Sequence, residues 1–316
     1  MSPQVSVLGP ILFVMYSTDI VRTVERLGLQ VHQYADDTQI YGSCRPNGSA
    51  SLCREVGRCV ESVSRWTESN RLQLNADKTE FMWCVPPRRR HQLPDEALLV
   101  GTVSVQPVQS VRDLGVYLDS RMSMNSHITQ LVSSCFGILR QIRCIRRSLP
   151  RSSLATLITA FILSKVDYCN VALAGLPKRD LDRLQSVINA AARLTTGASR
   201  YDHVTPLLKD LHWLRVPERI SFKLCVLVHR CLHGMAPRYL QDMIQPVSLV
   251  SARRRLRSSS SSLLVVPPTR RATLGDRAFA VAGPRTWNDL PDFVTDCQSL
   301  CTFKKYLKTY LFSQSF

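Results

Sequence analysis

The chain has 316 residues, of which 45% are hydrophobic and 21% are charged, a composition typical of soluble globular proteins with one to three domains. Its 41 lysines and arginines against 24 acidic residues give a formal net charge of +17, which favours a nucleic acid over a membrane surface as partner. No apolar stretch is long enough to cross a bilayer, and no basic segment precedes the apolar residues near the start, so we expect an intracellular protein, nuclear or cytoplasmic. The 11 scattered cysteines are odd in number and are predicted to be reduced thiols, without a zinc site.

The first predicted elements are a helix, a β-hairpin and a second helix. A proline at a first turn and an apolar stripe predict a helix over residues 10–28. β-prone residues on either side of a polar break predict a hairpin over 31–41. Turn-forming residues predict a loop over 42–51, and apolar residues at helical spacing predict a helix over 52–70.

Two adjacent carboxylates, Asp36 and Asp37, stand at the predicted hairpin tip. Carboxylates are ligands that Mg²⁺ prefers, and a Mg²⁺ pair can activate an attacking oxygen and stabilise a leaving phosphate. The alternative is an ordinary polar turn, since Asp is common in turns. Residue types alone leave both interpretations open.

Residues 74–85 predict a polar turn that leads into a strand. Lys78 in this turn could protonate a departing pyrophosphate if it lies near a metal site, or it could be a solvated lysine paired with Asp77 or Glu80. An exposed basic loop is predicted at 86–90, and two further strand runs at 97–105 and 111–118 are expected to extend the same sheet.

Helical patterns dominate after residue 126. In the first of these helices apolar side chains recur on one face at Ile138, Ile142, Ile145 and Leu149, and the opposite face carries three arginines, Arg140, Arg143 and Arg147. Residues 126–149 contain no acid. Such a face suits a phosphate backbone, although a merely solvated charged face remains the alternative.

The rest of the chain predicts bundle helices and a biased segment. Helices are expected around 154–162, 181–191 and 218–232, and the first two are expected to pack on their neighbours as bundle helices. A basic, Ser/Arg-rich linker is predicted at 251–270. A small C-terminal segment follows at 271–316, with a Gly-Pro break at 283 and 284 and a closing helix near 302–312.

Four stretches occur in one order that resembles the reverse transcriptases of LINE-type, non-LTR retrotransposons, particularly the jockey-like group. They are Pro3-Gln4-Val5-Ser6-Val7-Leu8-Gly9-Pro10, Tyr34-Ala35-Asp36-Asp37, Leu74-Asn75-Ala76-Asp77-Lys78-Thr79-Glu80 and Val111-Arg112-Asp113-Leu114-Gly115-Val116. The similarity continues in weaker form to the C-terminus.

This resemblance implies an α+β fold with the parts of a right-hand polymerase. Residues 1–122 would form a partial palm, an antiparallel sheet with helices, in which the fingers and the strand of the first catalytic Asp are missing. An all-helical thumb and connection would follow at 123–250, then the basic linker at 251–270 and the segment 271–316. The implied reaction is RNA-templated DNA synthesis by two-metal nucleotidyl transfer.

The resemblance also implies roles for single residues. Asp36 would be the essential metal ligand, Asp37 its less critical neighbour, and Lys78 the general acid. Residues near template, primer and incoming nucleotide would be Gln4, Ser6, Tyr34, Ala35 and Gly115. The partners would be an RNA template, a DNA primer, deoxynucleotides and two Mg²⁺ ions.

The same comparison predicts an N-terminally truncated fragment that is inactive alone, because a further catalytic Asp precedes the first motif in the family. Val5 also stands where the family has glycine, which adds a β-branched side chain where the backbone approaches the nucleotide. Two alternatives remain: a remnant that binds RNA or DNA through its basic thumb, and a transposon relic without selected activity.

Overall fold

The computed structural model describes residues 8–94, 97–249, 262–270 and 272–316. The chain divides into two units, Met1–Met122 and Ser123–Phe316. Strands occur only in the first unit of the described chain, and helices occur in both. The α+β class is therefore confirmed at this level.

The first unit combines two helices with three hairpins. Its elements are α1 (Gly9–Arg26), β1 (Gln30–Tyr34), β2 (Asp37–Tyr41), α2 (Ser49–Ser69), β3 (Leu98–Val100), β4 (Val103–Val105), β5 (Ser110–Asp113) and β6 (Val116–Asp119). Each consecutive strand pair is antiparallel and forms its own two-stranded sheet.

The expectation of one extended sheet is therefore wrong, and the position of α2 explains why. Cys59 and Val63 of this helix are buried against the first hairpin, where Val31 and Ile40 pack on the same core. The neighbouring Val60 is buried in a second cluster with β3. Since α2 contributes to the cores on both of its sides, it separates the first two hairpins.

The strand expected to follow residue 80 is also absent from the described structure. Phe81 makes a single parallel bridge to Pro107, and the Val85 backbone N–H donates to the Ser120 carbonyl at 3.1 Å. The basic loop beyond it is a 3₁₀ helix, Pro87–Gln92. Pro86 and Pro87 lack the N–H donors that a continuing strand needs, which accounts for the short pairing.

Helices are the regular elements of the second unit in its described residues. Its elements are α3 (Asn125–Ile145), α4 (Arg151–Ile158), a π-helical turn (Thr159–Leu163), α5 (Ser164–Asp167), α6 (Lys178–Thr196), α7 (Val204–Asp210), α8 (Val216–Leu232), α9 (Arg238–Gln241), α10 (Ala272–Gly275), α11 (Phe279–Asn288), α12 (Asp292–Thr295) and α13 (Leu300–Ser315). Pro217 in the first turn of α8 and Gly234 with φ +68° just beyond it bound that helix as its sequence predicts.

The largest core of this unit joins α8 to the C-terminal helices. Trp287 of α11 and Phe303 of α13 are almost fully buried there, with ring centroids 5.6 Å apart. The side chain of Asn288 bonds both the N–H and the carbonyl of Leu264, at 2.8 and 2.9 Å. Residues 250–261 and 271, which include most of the basic part of the predicted linker, lie outside the described residues.

The Gly-Pro pair at 283 and 284 does not break a helix, which corrects the sequence expectation. Both residues lie inside α11 and are buried. A Cβ added to Gly283 would stand 3.0 Å from a methyl of Val228 on α8, so the glycine permits close approach of the two helices. Packing of α11 against α8 therefore stabilises the helical turn around Pro284, a residue that disfavours the interior of a helix.

All eleven cysteines are free thiols. Burial raises the pKa of Cys135 to about 11, so this thiol stays protonated at neutral pH. Among the described helices, none has both the length and the apolar character that a bilayer crossing needs.

Candidate functional site

The hairpin β1–β2 presents the predicted catalytic motif at its tip. Tyr34 pairs with Asp37, and the two-residue turn between them consists of Ala35 and Asp36. Ala35 has φ +53°, the left-handed region that side chains rarely adopt and that tight hairpin turns require. The turn therefore places Asp36 at the apex, outside the ladder, while Asp37 begins the second strand.

The two faces of this hairpin differ in character. Val31 and Ile40 face the core, as strand alternation predicts. The opposite face carries the pairs His32 with Gln39 and Tyr34 with Asp37, and the Tyr34 side chain is 65% exposed. The predicted substrate residue Tyr34 thus shares an open face with Asp37.

Asp36 and Asp37 are both exposed, and neither side chain has an ion pair or hydrogen bond with any residue that the structure describes. Their oxygens are therefore available to a cation, and carboxylate oxygens suit Mg²⁺. Across the described ranges, however, no group of three or more His, Cys, Asp or Glu side chains could hold a metal ion. The hairpin supplies two carboxylates, and the described structure brings no third to them.

Lys78 ends a short 3₁₀ turn, Ala76–Lys78, and is exposed. The Asn75 side chain caps this turn by accepting from the Lys78 backbone N–H at 3.3 Å. In the part of the chain that the structure covers, Lys78 makes no ion pair, neither with its neighbouring acids nor with the hairpin. Its ammonium group is free to act, and its role as general acid stays a prediction.

Gly115 lies in the second tight turn of the predicted motifs. Leu114 and Gly115 connect β5 to β6 with φ values of +44° and +84°, as a type I′ turn requires. Glycine is expected here, but Leu114 is a bulky residue in a strained conformation. Leu114 stands in the motif that the sequence shows, but its left-handed backbone and its place in the turn were not predicted.

Two further predicted contacts, Gln4 and Ser6, lie in residues 1–7, outside the described residues. Their placement near template and nucleotide stays a prediction.

The three predicted backbone-binding arginines are all exposed, and none has an acidic partner in the described structure. Arg140 and Arg143 lie on α3, but this helix ends at Ile145, and Arg147 belongs to a following 3₁₀ turn, Arg146–Ser148. Ile145, expected on the buried face, is 51% exposed, because the helix ends there and the chain turns away.

Residues 1–118 match the family described as "Reverse transcriptase (RNA-dependent DNA polymerase)". The chain is 25% identical over 234 residues to a probable RNA-directed DNA polymerase from transposon BS of Drosophila melanogaster, covering 69% of this chain and 25% of that protein. The corresponding protein from the X-element of the same fly is 27% identical over 226 residues, covering 69% and 24%.

The RNA-directed DNA polymerase from the mobile element jockey, also of Drosophila melanogaster, is 20% identical over 227 residues, covering 69% of this chain and 24% of that protein. The chain thus spans about a quarter of the length of these relatives. No solved structure matches it significantly. These similarities confirm the resemblance drawn from the four motifs.

Proposed function

We propose, from the match of residues 1–118 to the reverse transcriptase family and from the similar retrotransposon proteins, that this chain is the C-terminal part of a retrotransposon RNA-directed DNA polymerase. The observation that carries the proposal is the β1–β2 hairpin, which presents Asp36 at its apex and Asp37 beside it, both exposed and with carboxylates that bind no other side chain of the described residues. The first unit would be a partial palm, and the helical second unit would contain the thumb.

The proposed reaction is attack of a primer 3′-hydroxyl on the α-phosphate of a deoxynucleotide. Asp36 and Asp37 would hold divalent metal ions, which when bound lower the charge on the reacting phosphate and activate the hydroxyl. Lys78 would donate a proton to the departing pyrophosphate. Tyr34, Ala35 and Gly115 would lie against primer and nucleotide, and Gln4 and Ser6 against template and nucleotide.

The open face of the hairpin suits this role. Tyr34 is an exposed aromatic ring next to Asp37, and an aromatic ring can support a base or sugar at the primer end. The tight turn at Gly115 would let the protein backbone approach the primer strand closely, because glycine carries no Cβ.

A transplant of the hairpin tests the proposal. Residues 30–41 would replace the matching hairpin of an active relative, and primer extension would be measured on poly(rA)/oligo(dT) with Mg²⁺. We expect activity within tenfold of the unaltered relative, because the transplanted hairpin would carry the same motif and the same type of turn as the hairpin that it replaces. Loss of all activity in a folded transplant would contradict the proposal.

The isolated chain forms a second arm of this experiment. Catalysis needs a closely held ligand cage, and the described residues bring together only two carboxylates. We therefore expect no extension above that of an Asp36→Ala control. Robust synthesis by the isolated chain would show that the cage is completed within it.

A second candidate function is binding of an RNA–DNA hybrid. It is favoured by Arg140, Arg143 and Arg147, which are exposed and have no acidic partner within the described ranges. Each arginine that contacts a phosphate releases condensed counterions, which makes binding depend on salt.

Replacing these three arginines with alanine is expected to weaken hybrid binding about 10- to 30-fold at 100 mM salt and to lower the salt slope by about two units. Fluorescence anisotropy with a labelled hybrid, measured over a range of salt concentrations, checks both quantities. The matched control replaces the exposed Arg230, Arg238 and Lys304, which removes the same charge from other helices. Equal losses in the two triple variants would reject a specific arginine surface.

A further inference from the structure

A cavity of about 360 Å³ in the second unit is lined by polar and aromatic side chains that the sequence analysis did not single out. The π-helical turn, the end of α5, the loop after α7, α8 and α13 form its wall. Its size lies at the lower end of the range for small-molecule sites. A π-helical turn is rare and is found frequently at functional sites.

A bidentate ion pair forms one side of the cavity. The Nε and Nη2 atoms of Arg219 donate to the two carboxylate oxygens of Asp167 at 2.7 and 2.5 Å. The Arg219 side chain is only 14% exposed. Its Nη1 group has no protein partner in the described structure and can donate to a ligand.

Next to this pair is a buried acceptor without a partner. Asn170 is 3% exposed, and its Nδ2 donates weakly to Asp167 at 3.5 Å. This contact orients the amide, and it leaves the buried Asn170 Oδ1 with no hydrogen bond in the described structure. A buried acceptor without a donor costs about 1–3 kcal/mol, so a ligand that supplies an N–H or O–H group would recover that loss.

The rim of the cavity is cationic. Lys223 of α8 and Lys308 of α13 line it, are exposed, and make no ion pair within the described ranges. With Arg219 they set three cations against the single carboxylate of Asp167. The cavity therefore favours an anion at its mouth.

Aromatic side chains complete the lining. Trp213 and Phe222 both line the cavity and are partly buried. Immediately before Trp213, His212 adopts φ +52°, a strained conformation that shapes this loop. Rings of this kind offer flat apolar surface to a heteroaromatic ligand.

We propose that this cavity binds a single nucleotide unit, with the phosphate at Lys223 and Lys308 and a base or sugar donor at Asn170 Oδ1. One nucleotide combines the three features to which the cavity lining is complementary, namely an anion, a flat ring and a hydrogen-bond donor. The ligand is either a free nucleotide or the phosphorylated end of a strand, since both present the same chemistry. The site belongs to the second unit and does not rest on polymerase activity of the hairpin.

Calorimetric titration of the full chain tests the proposal with uridine 5′-monophosphate, adenosine 5′-monophosphate, uridine and inorganic phosphate as probes. We expect both nucleotides to bind at least tenfold more tightly than phosphate or uridine alone. Two RNA hexamers, with and without a 5′-phosphate, separate the sources. Tighter binding of the phosphorylated hexamer than of the free nucleotides assigns the site to a strand end, and the reverse order assigns it to free nucleotides.

Variants then locate the binding. Replacing Lys223 and Lys308 with alanine should weaken nucleotide binding at least tenfold, and Asn170→Leu should weaken it about tenfold because one hydrogen bond is lost. The control Lys304→Ala with Lys305→Ala removes two exposed charges of α13 that do not line the cavity, and should stay within twofold. The lysine variants change only exposed side chains, so they test nucleotide binding in this cavity even if Asn170→Leu does not fold.

Three outcomes would overturn the proposal. The first is no binding of any probe, and the second is nucleotide binding that the Lys223 and Lys308 variant leaves unchanged. The third is inorganic phosphate binding as tightly as the nucleotides, which would indicate an anion site only.

Discussion

Asp36→Ala in the transplanted hairpin is expected to lower primer extension at least thousandfold. Asp36 is the apex residue of the β1–β2 turn. It is exposed and has no partner among the described residues, so alanine removes no structural contact that the structure shows. A metal ion contributes several kcal/mol of charge stabilisation to phosphoryl transfer, and a thousandfold rate loss corresponds to about 4 kcal/mol. Removing a metal ligand should therefore affect rate far more than folding.

Asp37→Ala should cost less, because Asp37 is expected to be the less critical neighbour. Gln30→Ala is the control, since Gln30 is exposed and lies in the same transplanted hairpin, at the end of the strands opposite the turn. It should keep activity within threefold, and thermal melting should show equal stability of all three variants. Retention of more than a tenth of the activity by Asp36→Ala would remove Asp36 from the catalytic site.

Asp167→Ala is expected to lower the free energy of unfolding of the second unit by about 2–3 kcal/mol. The Arg219 side chain, only 14% exposed, would lose both of its carboxylate bonds. Breaking a fully buried pair from one side costs about 3–5 kcal/mol, and the 37% exposure of Asp167 places the expected loss below that range. Urea unfolding followed by circular dichroism measures this change.

The double variant Asp167→Ala with Arg219→Met provides the control. Because it removes both charges, it should be more stable than Asp167→Ala alone by at least about 1 kcal/mol. A loss below about 0.5 kcal/mol for Asp167→Ala, or a double variant that is no more stable, would show that solvent screens this pair.

Several elements follow from sequence because their signals are local. The end of α2 follows from apolar spacing that stops near Asn70, although the helix begins at Ser49, within the loop predicted at 42–51. The α8 boundaries follow from Pro217 and Gly234. The hairpin tip at Asp36 follows from turn chemistry and strand alternation. The runs 97–105 and 111–118, each expected as one strand, are instead each a hairpin, which is a correction to the sequence expectation. The motifs in these turns also identify the family, because catalytic residue types must keep their order along the chain.

The candidate site could be predicted only in part. The sequence locates Asp36 and Asp37 at a turn, and the structure shows them exposed there. The sequence carries no signal for the distance between Lys78 and that turn, since the intervening chain is long and partly irregular. Leu114 was missed because left-handed backbone is not expected of leucine.

The amino-acid sequence by itself therefore determined the hairpin of the Tyr34–Asp37 motif, most helices, the free thiols, the basic charge and the resemblance to reverse transcriptases. Only the tertiary structure decided that the three hairpins form separate sheets, that Gly283 and Pro284 lie inside a helix, and that Arg219 pairs with Asp167 across 52 residues. Periodicity specifies which face of an element is apolar, but it does not specify which partner covers that face. That choice depends on packing between residues far apart in the chain, such as Val60 against β3 and Gly283 against Val228.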